Sequence, residues 1–468
     1  MKIVKHTINI LIWAIVSIYL LAITLIHIPT AQRYIANQTA KILSEQLETE
    51  VKIERIDLGF LNRLVIDNIE LYDQREQPLL KAFRVAAKIE LLPLITQGHI
   101  VINSAQLLGA DINIYQANAN SETNCQFIID KLSSSDSASS SPLHLQIGSL
   151  IIRNAQLKYN RLDLPYTPKK FNPAHLNLQG LSAHLMLKQL SDDEIDVRVK
   201  RLAFQEQTGF CLSRLSFFLH ATQQQFDINE LEIALPHSSL SLPQLTATYL
   251  LAPQSTLLKG LSIKSGSLNF KGSFHASSLN LSDLQAFLPF PSSIDDSFRI
   301  DANITGTDTH INIHELAINS DTHRLSLTTK GVVNLPCWQL DNLNFECSED
   351  VINDLSTRFS SQGIALPPVL GQLGMIRLSA NGRSDGTIQT LNAIMSTDIG
   401  ELIIEGQHNK KSKMFSSSAN LPNLKLNELQ FAGNEFGRLT ANIKLNGKWG
   451  DKNALLINAD ADIPQLDW

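Results

Sequence analysis

From Val51 onward, apolar and polar residues alternate through one strand-length stretch after another. In Arg438–Asn446, Leu439, Ala441, Ile443 and Leu445 fall on one face, with Arg438, Thr440, Asn442, Lys444 and Asn446 on the other. Phe298, Ile300, Ala302 and Ile304 oppose Arg299, Asp301, Asn303 and Thr305 in the same way, and Ile376, Leu378 and Ala380 share a face. A two-residue period is that of a half-buried strand. The chain is therefore expected to be mainly β, each strand having one face that seeks to leave water. Two such faces can cover each other in a sandwich, or one long bent sheet can line an open groove with them. Periodicity alone leaves both open.

Ahead of the β-region stands a different signal. Ile8–Ile28 is a run of 21 residues without a formal charge, about the length a helix needs to cross a bilayer. Ile8, Leu11, Ile12, Trp13, Ile15, Val16, Leu20, Leu21, Leu25 and Ile28 are its expected membrane-anchor residues. Lys2 and Lys5 precede it, which places the short N-terminus in the cytoplasm and the remainder beyond the membrane. A cleaved signal peptide would have a shorter apolar core and small residues at its cleavage site. Here Pro29-Thr-Ala-Gln follows, so a retained single-pass anchor is expected. In the next stretch Ile35, Ile42, Leu43 and Leu47 keep helical spacing, with Thr30 placed to cap an amphipathic helix over residues 30–48.

The chain divides into a tip and anchor at 1–29, a membrane-proximal helix at 30–48 and a first β unit at 49–132. A serine-rich loop at 133–142 leads to a further β-region at 143–290 and glycine-ended repeats at 291–468. Ile102-Asn-Ser-Ala-Gln-Leu107 and Ile152-Arg-Asn-Ala-Gln-Leu157 read as one β-unit used twice. In the second half, three alternating stretches end at Gly306, Gly382 and Gly447, and each glycine is expected to supply the positive φ of a turn. Short amphipathic helices are expected near Leu281, Glu349 and Asn124.

Net charge is −6 and charged residues make up 18% of the chain. That balance gives no basic stripe for nucleic acid. Cys337 and Cys347 either pair across neighbouring strands or remain free thiols. His310 and His314 have the spacing of a helical zinc pair, but Ile-Asn-Ile between them alternates, so a strand is expected, with the two rings about 13 Å apart. Asp192-Asp-Glu194 reads as a solvated turn, and no serine sits in a nucleophile elbow. No catalytic, cofactor or metal site is expected.

The run Thr49-Glu-Val-Lys-Ile-Glu-Arg-Ile-Asp-Leu-Gly-Phe-Leu-Asn-Arg-Leu-Val-Ile-Asp-Asn-Ile-Glu-Leu-Tyr-Asp-Gln74, with the anchor and helix before it, resembles the start of TamB proteins of the AsmA-like group, particularly those of Bacteroidota. Pro78-Leu-Leu-Lys81, Leu92-Pro-Leu94 and Lys170-Phe-Asn-Pro173 also look like that group. The resemblance covers about residues 1–180 and continues more weakly in the glycine-ended strands. It implies an inner-membrane-anchored periplasmic protein with an elongated, curved, taco-like β-sheet that passes glycerophospholipids along its apolar interior toward the outer membrane. Phe298, Ile300, Ala302, Ile304, Ile376, Leu378, Ala380, Leu439, Ala441, Ile443 and Leu445 would then line the groove. A barrel partner of the TamA or BamA type is implied at the far end, and assembly of outer-membrane proteins is the alternative role. Because the sequence stops at Asp462-Ile-Pro-Gln-Leu-Asp-Trp468 within a repeat, barrel contact is expected to need a region beyond it.

Overall fold

The computed structural model describes residues 28–59, 62–90, 101–119, 121–128, 146–167, 170–191, 193–253, 255, 257, 262–287, 297–322, 324–353, 368–429, 436–449 and 455–467, with 13, 14, 16, 17 and 24. Of the expected span Ile8–Ile28, the described residues Trp13, Ala14, Val16, Ser17 and Thr24 are helical, and the rest up to His27 lies outside the described residues. Among the described residues no helix is long and apolar enough to cross a membrane. The serine-rich stretch 133–142 also lies outside them.

Helix α1 (Pro29–Leu47) begins differently from expectation. Ile28 is the N-cap with no side-chain hydrogen bond, and Pro29 fills the first turn where its missing N–H costs nothing. Thr30 is not the cap. The helix ends at Glu48 in the left-handed region.

All described strands belong to one sheet. Its first part is β1 (Val51–Gly59), β2 (Arg63–Tyr72), β3 (Pro78–Ile89), β4 (Val101–Gln116), β5 (Gln146–Ile147), β6 (Ser149–Arg161), β7 (His175–Leu190), β8 (Glu194–Glu206), β9 (Cys211–Thr222), β10 (Gln225–Ala234) and β11 (Ser239–Thr248). It continues through β12 (Asn269–Asn280), β13 (Ser297–Thr307), β14 (Ile311–Ser320), β15 (Leu325–Asn334), β16 (Cys337–Cys347), β17 (Ile376–Ser384) and β18 (Ile388–Thr397). The last are β19 (Gly400–Asn409), β20 (Met414–Lys425), β21 (Arg438–Trp449) and β22 (Leu455–Leu466), giving 22 strands.

Strands pair in chain order and antiparallel, except where β4 runs parallel to β5 and β6. The pairing crosses residue 290 without a break, because β12 bonds β13 along ten partners. At the parallel junction Ala110 aligns with Ala155, not Ala105 with Ala155, because Leu108 pairs Arg153 and Asp111 pairs Gln156. The two Ala-Gln-Leu stretches, 105–107 and 155–157, are therefore out of register.

Helical turns recur on one edge of the sheet at every fourth strand. Leu281–Leu284 follows β12, a turn at 349–353 and Pro368–Gln372 follow β16, and Leu426–Glu428 follows β20. The three stretches ending in Gly306, Gly382 and Gly447 are β13, β17 and β21, the strands that open each of these units. The glycines themselves do not make turns. They lie within strands, and their φ angles are not in the left-handed region.

Near Asn124, Gln126–Ile128 form a helical turn. Cys125, Phe127 and Ile128 pack with α1 residues Ala36 and Ala40 onto Val51, Ile53 and Leu71, so the apolar face of the first strands is covered.

Cys337 and Cys347 lie at the two ends of β16, roughly 33 Å apart along an extended strand, so they do not pair. Cys347 is buried, and that burial, with Asp350 nearby, pushes its thiol up from the usual range.

Candidate functional site

Register carries an apolar row across the sheet, interrupted at β12, where the buried Ser277 stands between Leu240 and Ile300. In the first strands it runs through Ile53, Ile69, Ala82 and Ala110, which stand opposite one another, and on to Ala155 and Leu181. Leu202, Leu215, Ile233 and Leu240 continue it through β8–β11. From β13, Ala302 faces Leu316, then Thr329, Leu343 and Ala380 follow in line. Ala393, Ile404, Ala419, Ile443 and Ala461 complete it to β22. Thr329 is the one polar residue in that second stretch.

Every groove residue named from the sequence lies on this face. Phe298, Ile300, Ala302 and Ile304 share it on β13. Ile376, Leu378 and Ala380 share it on β17, and Leu439, Ala441, Ile443 and Leu445 on β21. The opposite face carries Arg299, Asn303, Arg377, Asn381, Asn442 and Lys444.

Burial along the row separates the sandwich from the open sheet. In a sandwich core, large apolar side chains are lost to solvent almost completely. Here Ile300, Ile304, Leu316, Ile318, Leu327, Phe345 and Leu378 are only half-buried, whereas Ala302, Ala380 and Ala441 are buried to 6%, 5% and 2% exposure. Among the described residues no second sheet lies on them. A small residue disappears under its own neighbours when larger side chains two positions away lean over it, as they do on the inside of a bend. The apolar face is therefore uncovered over these strands, with alanines sunk between the larger side chains.

Backbone geometry supplies the bend. Asn68, Gly109, Asn154 and Gly180 have φ of 50, 57, 51 and 60°, and each immediately precedes a residue of the row: Ile69, Ala110, Ala155 and Leu181. Their strands are neighbours except for β3, where Phe83 holds the corresponding place. Asparagine and glycine tolerate the left-handed region best. The pairings on either side of these residues keep one register from β1 to β6 and slip only between β6 and β7, so the crease is a conformational kink shared by neighbouring strands. On β10, Glu230 repeats the device ahead of Leu231, where the pairing with β9 slips. Sequence reasoning missed this crease, although the isolated glycines and asparagines inside strand patterns were its signal.

At the edge opposite the helical turns, rings lie over the repeat glycines. A Cβ at Gly306 would fall 3.0 Å from Phe270 Cζ, and one at Gly382 would fall 3.2 Å from Trp338 Cζ3. Phe415 covers Gly447 in the same way. Each ring comes from the strand just before the glycine.

Other polar groupings close turns and do not converge on a reacting centre. Ser238 Oγ and His237 Nδ1 both bond the Asp283 carboxylate, His237 at 3.1 Å, while the Asn280 N–H donates to Ser238 Oγ at 2.9 Å. The carboxylate therefore separates serine from histidine, and the group ties the β10–β11 turn to the segment after β12. Asp73 accepts from Tyr115 Oη at 2.7 Å, Asn124 Nδ2 at 3.2 Å and the N–H groups of Arg75 and Gln77. Burial pushes that carboxyl up, and these donors together hold it below its ordinary value. His314 lies on extended β14, its Nε2 2.8 Å from Thr305 Oγ1. Asp193 takes a hydrogen bond from Gln223 in a solvated turn.

No protein-family model, curated protein or solved structure matches the chain.

Proposed function

We propose that the protein is a carrier of glycerophospholipids. Anchored in the inner membrane by Ile8–Ile28 with the sheet in the periplasm, it moves lipids along the apolar face toward the outer membrane, without enzymatic chemistry. The observation that carries this reading is the apolar row from β1 to β22, left uncovered over most of its length while the opposite face is polar. Acyl chains would occupy it by non-directional burial, worth about 0.8 kcal/mol per CH₂. No fixed polar partner is needed for the chains, so movement along the row meets small barriers. Helix α1 and the 124–128 turn cover the face over β1–β3, so in this reading lipids would load beyond those strands.

Ile304→Asp tests the reading by putting a charge on the apolar face without touching the outer one. Protein extracted in detergent is analysed by native mass spectrometry for bound phospholipid. Loss of lipid is expected from Ile304→Asp and from Leu378→Asp, with strand content by circular dichroism unchanged. Full lipid occupancy in both variants would sink the groove.

A second reading has its own observation. Among the described residues β22 pairs with β21 alone, and its Leu456, Ile457 and Ile463 are 69%, 50% and 54% exposed. An exposed strand of this kind can pair with a strand from another chain, which is what an assembly factor for outer-membrane barrels acting with a TamA- or BamA-type partner would use. Crosslinking from Ile463 to an unfolded barrel substrate, insensitive to Ile304→Asp, would favour it.

A further inference from the structure

The outer face of β6–β8 gathers cations that no acid answers. Ala183, 6% exposed, pairs with Ile152 and Leu202, which pack with Ala155 and Leu181 of the apolar row. Its neighbour His184 therefore stands on the outer face. Two bulges flank it. On β6, Arg153 and Asn154 together oppose Ser182, because Ile152 pairs with Ala183 and Ala155 with Leu181. On β8, Lys200 and Arg201 together oppose Ser216 of β9, because Val199 pairs with Phe217 and Leu202 with Leu215. Two residues set against one re-aim their side chains. Val199 pairs with Leu185 and Leu202 with Ala183, so both ends of the β8 bulge sit on the apolar side. Lys200 and Arg201 between them turn outward; both are exposed, as is Arg153. Arg201 lies directly opposite His184.

Among the described residues Arg153, Lys200 and Arg201 have no ion-pair or hydrogen-bond partner, and the half-buried His184 ring has none. Burial, then Lys200 and Arg153, hold that imidazole below its ordinary value of 6.5, so it is neutral at pH 7. Acids on the surrounding strands are engaged or distant. Asp67 is held by Arg84 and Arg55, and Asp196 lies 3.6 Å from Lys188. Glu232 takes Arg214 at 3.7 Å and Ser216 Oγ at 3.4 Å. Glu230 shares β10 with Glu232, two strands and about 10 Å from Lys200. Like charges on facing positions destabilise a sheet, and this cluster is rich in donors and lacks an anion.

We propose that Arg153, His184, Lys200 and Arg201 form a phosphate-binding site on the outer face of β6–β8, taking a phosphate or phosphate-ester group. The guanidinium forks of Arg153 and Arg201 match pairs of phosphate oxygens, Lys200 adds a point charge, and His184 adds an N–H. A phosphate presents oxygens on several sides, so it accepts from β6 and β8 at once across β7. The bonds formed are charge-assisted, which makes them strong, and they relieve the repulsion. The site lies on the face opposite the apolar row, so it stands whether or not the groove carries lipid.

The test uses the full chain in nonionic detergent and phosphate-free buffer, with histidine rings isotope-labelled for NMR. His184→Gln identifies the His184 signal. Inorganic phosphate at constant ionic strength is expected to shift that signal saturably and to raise its titration midpoint. The double variant Lys200→Gln, Arg201→Gln should weaken phosphate binding about tenfold, as loss of a charge-assisted hydrogen bond does. Arg153→Gln, on a different strand, should do the same, so a folding defect at the β8 bulge cannot imitate the result. Lys410→Gln with Lys411→Gln, two exposed turn lysines elsewhere, should change nothing. An equal shift with sodium chloride shows an adventitious ion only and overturns the proposal. So does equal weakening in the Lys410 and Lys411 variant, or unchanged binding in Arg153→Gln. Soluble dihexanoylphosphatidylglycerol separates the two sources of the same chemistry. Displacement of phosphate by it supports the site with a lipid headgroup as ligand, and failure to displace supports it with a free phosphate ester.

Discussion

Phe415 and Gly447 stand directly opposite each other on the apolar face, and the ring occupies the space that a Cβ at residue 447 would need. The carbonyl oxygen of Leu456 approaches the same point at 2.5 Å. Gly447→Ala must therefore displace both a ring and a backbone, an overpacking cost of about 1–3 kcal/mol. Gly406 on β19 shares the face but has open surroundings, with Leu391 O and Ser417 Oγ each 3.9 Å from a built Cβ. Thermal unfolding should show a clear loss for Gly447→Ala and no loss for Gly406→Ala. Equal effects at the two positions would mean that the ring does not dictate the glycine.

The crease makes a separate prediction. Asn154 holds a φ of 51° beside Ala155, which is 1% exposed. A β-branched residue there pays about 1–2 kcal/mol for the left-handed conformation, whereas glycine adopts it freely. Asn154→Val should raise amide exchange in β6 and β7 and lower the melting temperature, and Asn154→Gly should leave both near wild type. A Val variant as protected as the Gly variant would show that the strand does not need its bend.

Side-chain faces were legible in the sequence because they depend only on parity. Once Leu439, Ala441 and Ile443 alternate with polar residues, any strand pairing puts them together, and register did so. Whether the face is covered was not legible, since the same alternation serves a sandwich and a groove, and the distinction lies in the half-burial of residues such as Ile300 and Phe345. The crease was hidden because Asn154 reads as an ordinary polar position within Ile152–Leu157. The repeat glycines misled for a physical reason: a glycine marks either a turn or a close approach, and the approaching rings of Phe270, Trp338 and Phe415 lie 32 to 44 residues earlier. The parallel step from β4 to β6 was out of reach, because the connection between them carries no periodic pattern.

On the outer face of the first strands, Asp67 joins Arg84, its Nε 2.6 Å from Oδ1, and Arg55, its Nε 3.1 Å from Oδ2. The Arg84 hydrogen bond, with Arg55 second, holds the Asp67 carboxyl below its ordinary value of 3.8, against a smaller opposing effect of burial. A carboxyl depressed by folding stabilises the fold at pH above the unfolded value, and the gain fades as pH falls from near 4 through the lower folded value. Asp67→Asn should lower the melting temperature at pH 7 by about 2–4 °C, and the gap from wild type should close on titration to pH 3. A gap that stays constant from pH 7 to pH 3 would exclude ion pairing as its cause.

Asn124 fastens the turn that covers the apolar face over β1–β3. Its Oδ1 accepts the Tyr115 N–H at 3.0 Å, and its Nδ2 donates to the Asn113 carbonyl at 3.1 Å and to Asp73 at 3.2 Å. Alanine removes all three bonds at once and leaves the Tyr115 N–H without its acceptor, a cost of about 1–3 kcal/mol. Because Cys125, Phe127 and Ile128 reach the first strands only through this turn, the loss should be local. Hydrogen exchange should quicken in 121–128 and at Val51, Ile53 and Leu71, while β13–β22 keep wild-type protection. If the groove carries lipid, uncovering these strands should also raise the number of phospholipids bound per chain. Protection unchanged at Ile53 would show that α1 alone covers the first strands.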